Sequence, residues 1–154
     1  LAFRSGQADY IHQQGPAPQQ LESDGLGHVL TALGPLVGPC AFSSLAAMPD
    51  WIETEEGRAF CRAYSRTLGY VCSTPASEIA SAQKPLFPKI EEAVLEQCIQ
   101  SYQEMGCWPE NMRITEEGFE AMLDIFAFDN KISQRHSYDG ICIDISMTKV
   151  SNGS

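Results

Sequence analysis

The stretch AFRSGQADYIHQQGPAPQQLE, Ala2 to Glu22, decides the fold class, because the reading of the first third turns on whether its centre is a strand. Leu1 to Ser5 reads as the last turn of a helix, closed by Gly6, a residue that tolerates a left-handed cap. Ala8 to His12 then reads as a short buried strand. Gly15, Pro16 and Pro18 break that strand and open a helix, since proline costs least in a first turn. Gln19 to Asp24 continues the helix to a Gly25 cap. His28 to Leu33 is again β-like. Gly34, Pro35, Gly38 and Pro39 force an irregular link, and CAFSSLAA, Cys40 to Ala47, reads as a further strand of small and apolar residues. The first third is therefore expected to be βαβ-like and the fold class α/β.

From Pro49 the pattern changes to helix. Phe60, Ala63, Tyr64, Thr67, Leu68 and Val71 recur at three- and four-residue spacing, which predicts a helix over 55–72. Thr74 and Pro75 open a short helix through Gln83, and KPLFP ends it. Ile90, Val94, Cys98, Ile99, Tyr102 and Met105 mark a longer helix stopped by Gly106. Thr115 is placed to cap another, with Glu116 and Glu117 in its first turn and Phe119, Met122, Leu123, Phe126 and Phe128 on its buried side. The tail, 133–154, reads as loop with a short strand at Ile141 to Ile145.

The 154 residues, 44% hydrophobic, are enough for one core. With 20 acidic against 10 basic residues the formal charge is -10, so a nucleic-acid partner is not expected: few cations are present to replace released counterions. Six cysteines, Cys40, Cys61, Cys72, Cys98, Cys107 and Cys142, form no C-x-x-C pair and no Cys/His spacing of a zinc site. No metal or other cofactor is expected. Cys61, Cys72 and Cys98 fall on apolar helix stripes, where a thiol behaves as a small buried hydrophobe. One disulfide stays open for an oxidising compartment.

In order and spacing these segments resemble a known family, the solute-binding proteins of ABC importers for sulfonates, taurine, nitrate and thiamine-pyrimidine precursors. SGQADYIHQQGPAPQQLE resembles that family's helix end, glycine, small-residue-Asp strand, proline-containing ligand loop and following helix. AFSSLAAMPDWIETEEGRAFCRAYSRTLGYV is similar to its crossover strand, polar turn and long amphipathic helix. WPENMRITEEGFEAMLDIFAF and HSYDGICIDIS are similar to its terminal segment. The resemblance implies part of a type II periplasmic-binding-protein fold. Residues 1–37 would end the second lobe, 38–48 would be the inter-lobe crossover strand, and 49–154 would be helices returning to the first lobe. With no initiator Met or leader at Leu1, the chain reads as the second half of a longer protein. The resemblance further implies a periplasmic or extracytoplasmic location with any signal peptide upstream, and an ABC permease as partner.

Ligands of open α/β sheets collect beyond the carboxyl ends of strands, and 9–16 follow the first expected strand. His12, Gln13 and Gln14 offer donors and acceptors to a neutral or anionic polar solute, with Tyr10 as a stacking or hydrogen-bonding wall. The alternative is a satisfied core histidine beside glutamines in solvent. The second expected element is the crossover strand, where Cys40, Phe42 and Ser43 border the cleft. Packing or hinge bending explains Cys40 and Phe42 at least as well.

The chain lacks a G-x-S-x-G elbow, an H-E-x-x-H helix and a phosphate-binding glycine loop. His28 and His136 read as structural or surface residues. The expected function is therefore noncatalytic capture of a small polar solute. One alternative is an enzyme like the thiamine-pyrimidine precursor synthases, whose cysteine-rich iron motif is absent from these residues. Another is a ligand-sensing or interaction module without transport. An apolar edge between Val29 and Ala47 would make an isolated chain self-associate.

Overall fold

A computed structural model describes residues 2–143. Among them every regular element is helical: α1 (Ala17–Ser23), α2 (Gly34–Val37), α3 (Pro49–Ile52), α4 (Glu55–Ser73), α5 (Ala76–Gln83), a 3-10 turn (Lys84–Leu86), α6 (Glu92–Glu104), α7 (Glu116–Phe128) and α8 (Tyr138–Ile141). The expected α/β class with its βαβ segment is thus overturned, since no strand occurs among the described residues. A strand must place its amides on a neighbouring strand. Here the amides of the expected strands and their flanks that are bonded go elsewhere: Gly15 to the Tyr102 hydroxyl, Val29 to the Glu22 carboxylate, and Ala41 to the Gly118 carbonyl. Of the expected terminal strand, Ile141 closes α8, whereas Asp144 and Ile145 lie outside the described residues.

The contacts divide the chain into two units, each discontinuous in sequence. One comprises 1–33 and 73–108, the other 34–72 and 109–154. In the first unit α5 and α6 form a helical hairpin on which α1 also packs. Its core is Ile79, Ala80, Val94, Leu95, Cys98 and Ile99, all buried. Spacings of three and four residues within α6 put these side chains on one stripe. The turn between the hairpin's helices is held by Lys84, whose Nζ donates to the carbonyls of Pro88 and Ile90 at 3.2 and 2.6 Å. Gln103 Nε2 donates to the Thr74 carbonyl at 2.9 Å, tying the end of α6 to the start of α5. Gly106 closes α6 at φ 64, the left-handed value the sequence calls for there.

In the second unit Thr54 caps α4. Its hydroxyl accepts from the Gly57 amide at 3.1 Å and donates to the Trp51 carbonyl at 2.7 Å. Gly57 is required by close approach, because a Cβ there would lie 2.2 Å from the Trp51 carbonyl oxygen. Thr115 caps α7 as its position foretells, its side chain accepting from the Gly118 amide. Ile52, Cys61, Leu68, Phe119 and Leu123 are this unit's buried residues of apolar character. Tyr138 in α8 packs edge-on against Phe119 with ring centres 5.7 Å apart, and its hydroxyl donates to the Ile114 carbonyl. Several expected stripe positions are exposed instead: Phe60, Ala63, Thr67 and Cys72 on α4, Met105 at the end of α6, and Phe128, 91% exposed, at the end of α7.

Candidate functional site

A half-open depression in the first unit holds about 230 Å³. Its lining is assembled from three short pieces of chain. Phe3 and Arg4 come from the opening turn, which Gly6 closes at φ 71 with its amide on the Phe3 carbonyl at 3.1 Å. Ile11 and Gln13, from the irregular run before α1, both line the depression. Ala17, Gln20 and Leu21 follow at the three- and four-residue spacing of one face of α1. Phe3 reaches this position because Gly27 has no side chain: a Cβ there would meet the phenyl ring at 2.8 Å.

Phe3, Ile11, Ala17 and Leu21 make the apolar part of the lining; Arg4, Gln13 and Gln20 make the polar part. The polar part is ordered by one carboxylate. Asp24 receives Arg4 Nη2 on one oxygen at 3.2 Å and Gln20 Nε2 on the other at 2.8 Å. A guanidinium beside a half-open apolar hollow is a weak but directional anion attractor, and the flanking amides can both donate and accept.

The run from His12 to Gly15 is pinned from behind. The Gly15 amide donates to Tyr102 Oη at 3.1 Å, and Tyr102 in turn packs edge-on against Trp108 at 5.6 Å. Burial raises the Tyr102 phenol, nearby Cys98 raises it further, and the Gly15 amide opposes the shift. Burial also pushes the Cys98 thiol up, with Cys107 adding to it, and it alone raises Cys107. Cys98 is buried on the packed face of α6, whereas Cys107 is exposed.

Of the residues expected to touch ligand, Gln13 lines the depression. Tyr10, His12 and Gln14 are exposed on the same run outside its lining, Tyr10 at 78%. Cys40, Phe42 and Ser43 belong to the second unit, where Cys40 is half-buried, Ser43 is exposed, and the Phe42 ring tilts against Phe126 at 6.3 Å. Sequence reading missed Arg4 and Gln20. The signal for Gln20 was present, since it stands three residues after Ala17 on one helix face. For Arg4 there was none, because its place depends on the fold of the Gly6 turn.

Among the described residues no group of three His, Cys, Asp or Glu side chains is placed to hold a metal ion, and no helix is long and apolar enough to cross a membrane. Comparison with protein-family models, curated proteins and solved structures finds no match to this chain.

Proposed function

We propose that the chain binds a small polar or anionic solute, without catalysis, in the depression of the first unit. The observation that carries this reading is the company Gln13 keeps. A residue singled out from the sequence as a ligand contact shares a hollow with Arg4 and Gln20 and with an apolar lining. The reading rests on that chemistry and on the resemblance of the surrounding segments to importer solute-binding proteins; residues 2–143 form no sheet at whose edge a ligand would sit.

Size narrows the solute. Pockets for drug-sized ligands hold roughly 300–1,000 Å³. A hollow of about 230 Å³ suits something smaller, such as taurine, a short sulfonate or nitrate. An anionic head would compete with Asp24 for Arg4, and Gln13 and Gln20 would complete its hydrogen bonds. The apolar residues would take a short carbon chain. In this reading the downstream partner is an ABC permease and the place of work is outside the cytoplasm.

Calorimetric titration of the whole chain with taurine, alkyl sulfonates, nitrate and pyrimidine precursors tests it. Gln13→Ala and Arg4→Ala should each weaken binding about tenfold, the effect of losing roughly 1.4 kcal/mol of hydrogen bonding. His12→Ala should leave affinity unchanged. Absence of saturable binding by every member of the panel, or binding indifferent to both Gln13→Ala and Arg4→Ala, overturns the proposal.

A further inference from the structure

Arg4 is the only Lys or Arg among residues 1–33, which also hold Asp9, Glu22 and Asp24. That one cation is paired with Asp24. Arg4 Nη2 lies 3.2 Å from one oxygen of the carboxylate, and Gln20 Nε2 donates to the other at 2.8 Å. Asp24 is the C-terminal cap of α1 and keeps helical backbone angles, so its spacing from Ala17, Gln20 and Leu21 places it on the helix face that lines the depression. Both members of the pair are reached by solvent, with side chains 53% and 34% exposed. Among the described residues the Arg4 guanidinium makes no hydrogen bond besides that one, and the Gln13 side chain makes none.

We infer that the solute taken by this depression is a zwitterion, with an ammonium a few bonds from an acidic head; this rests on solute binding in the first unit and narrows the class of solute. Two charged ends meet two charged side chains. The acidic head takes the guanidinium together with Gln13, and the ammonium takes the place that the guanidinium leaves on Asp24. A plain anion lacks the second half of this exchange. By drawing Arg4 to itself it leaves the Asp24 carboxylate without a cation and close to a second negative charge, in a chain whose formal charge is already -10. A plain cation has the reverse defect, since it takes Asp24 and strands Arg4. Discrimination of this kind comes from the charge that the wrong solute leaves unpaired as much as from contacts with the right one. Phe3, Ile11, Ala17 and Leu21 suit the short carbon link between the two ends.

Calorimetric titration of the whole chain with matched pairs of solutes tests this. Taurine is set against 1-propanesulfonate and β-alanine against butyrate, since each second member keeps the acidic head and the chain length and replaces the ammonium by a methyl group. The zwitterion of at least one pair should bind about tenfold or more tightly than its partner. Asp24→Asn keeps the shape and an oxygen for Gln20 but removes the charge. It should weaken zwitterion binding about tenfold and leave the plain anion unchanged or tighter, so that the preference disappears. Glu78→Gln, an equal change of charge at an exposed position on α5, should leave the preference intact. Circular dichroism matching the parent establishes that the variants fold; should Asp24→Asn not fold, the comparison of each pair on the parent decides alone. Equal affinity within both pairs, a preference that survives Asp24→Asn, or binding of nitrate and alkyl sulfonates without either zwitterion overturns the inference and leaves solute binding standing. Absence of saturable binding by any of these solutes overturns both.

Discussion

Two single residues hold together distant parts of the first unit, and Gly15 is the first. A Cβ on Gly15 would lie 2.5 Å from Cys98 Sγ and 2.9 Å from Tyr102 Oη, both on the packed face of α6. Gly15→Ala is therefore expected to force these side chains apart and to destabilise by about 1–3 kcal/mol, the usual cost of overpacking. Urea denaturation followed by circular dichroism measures it, and an unchanged midpoint would refute the close approach. Glu22 is the second. Its carboxyl is held below the usual carboxylate range, first by the Val29 amide, then by Gln97 and by His28, whose Nδ1 is 3.6 Å away. A depressed carboxyl contributes stability that is present above its unfolded value, about 4.3, and is lost as the pH falls through the folded one. Glu22→Gln should accordingly lower the melting temperature slightly at pH 7, and the gap to the parent should close in acid. A gap independent of pH would show that Glu22 acts through packing alone.

Helices are the scale at which the chain is most self-consistent. In α7 the cap, the acidic first turn of Glu116 and Glu117, and the buried pair Phe119 and Leu123 agree. Thr115→Ala removes the acceptor of the Gly118 amide and should cost about 1 kcal/mol. Thr115→Ser, which keeps the oxygen, should recover most of it in the same denaturation experiment. Toward its C-terminal half α7 also anchors the segment that follows it, since Arg135 pairs with Glu120 at 3.1 Å and with Asp124. These pairs are exposed and contribute little on their own. In α4, Arg62 reaches Glu55 at 2.7 Å across two turns, and Phe60 lies between Trp51 and Tyr64 with ring centres 5.9 and 6.1 Å away. Phe60 and Tyr64 stand at the four-residue spacing legible in the sequence, whereas Trp51 comes from α3, and Phe60 remains 46% exposed.

At the scale of the whole molecule, each unit is made of two separated pieces of chain, so the polypeptide passes between the units three times. Neither unit exists as one continuous fragment. A hairpin cut out as 73–108 would keep the core of α5 and α6 but lose α1 and every residue lining the depression. Among the described residues, the run 26–48 is the longest in which regular structure is limited to a single helical turn and most side chains are exposed. Limited proteolysis of dilute protein with chymotrypsin should cut first there, at Leu30, Leu36 or Phe42, before α4 or α6 is touched. First cuts inside α6 would contradict the assigned packing.

The helices over 55–73, 76–83, 92–104 and 116–128 were legible from the sequence because a helix satisfies its own amides locally. Its apolar stripe, its capping threonine and its closing glycine are all encoded within a dozen residues. The strands expected at 8–12, 28–33 and 40–47 had the right composition, but composition specifies only that a segment accepts a partner. The partner is a matter of tertiary structure, and here Glu22 and Gly118 receive the Val29 and Ala41 amides that strands would have received. The candidate site divides in the same way. Gln13 stood out from its neighbours in the sequence, whereas Arg4 joins it only because the turn at Gly6, the missing side chain of Gly27 and the carboxylate of Asp24 bring distant pieces of chain to one hollow.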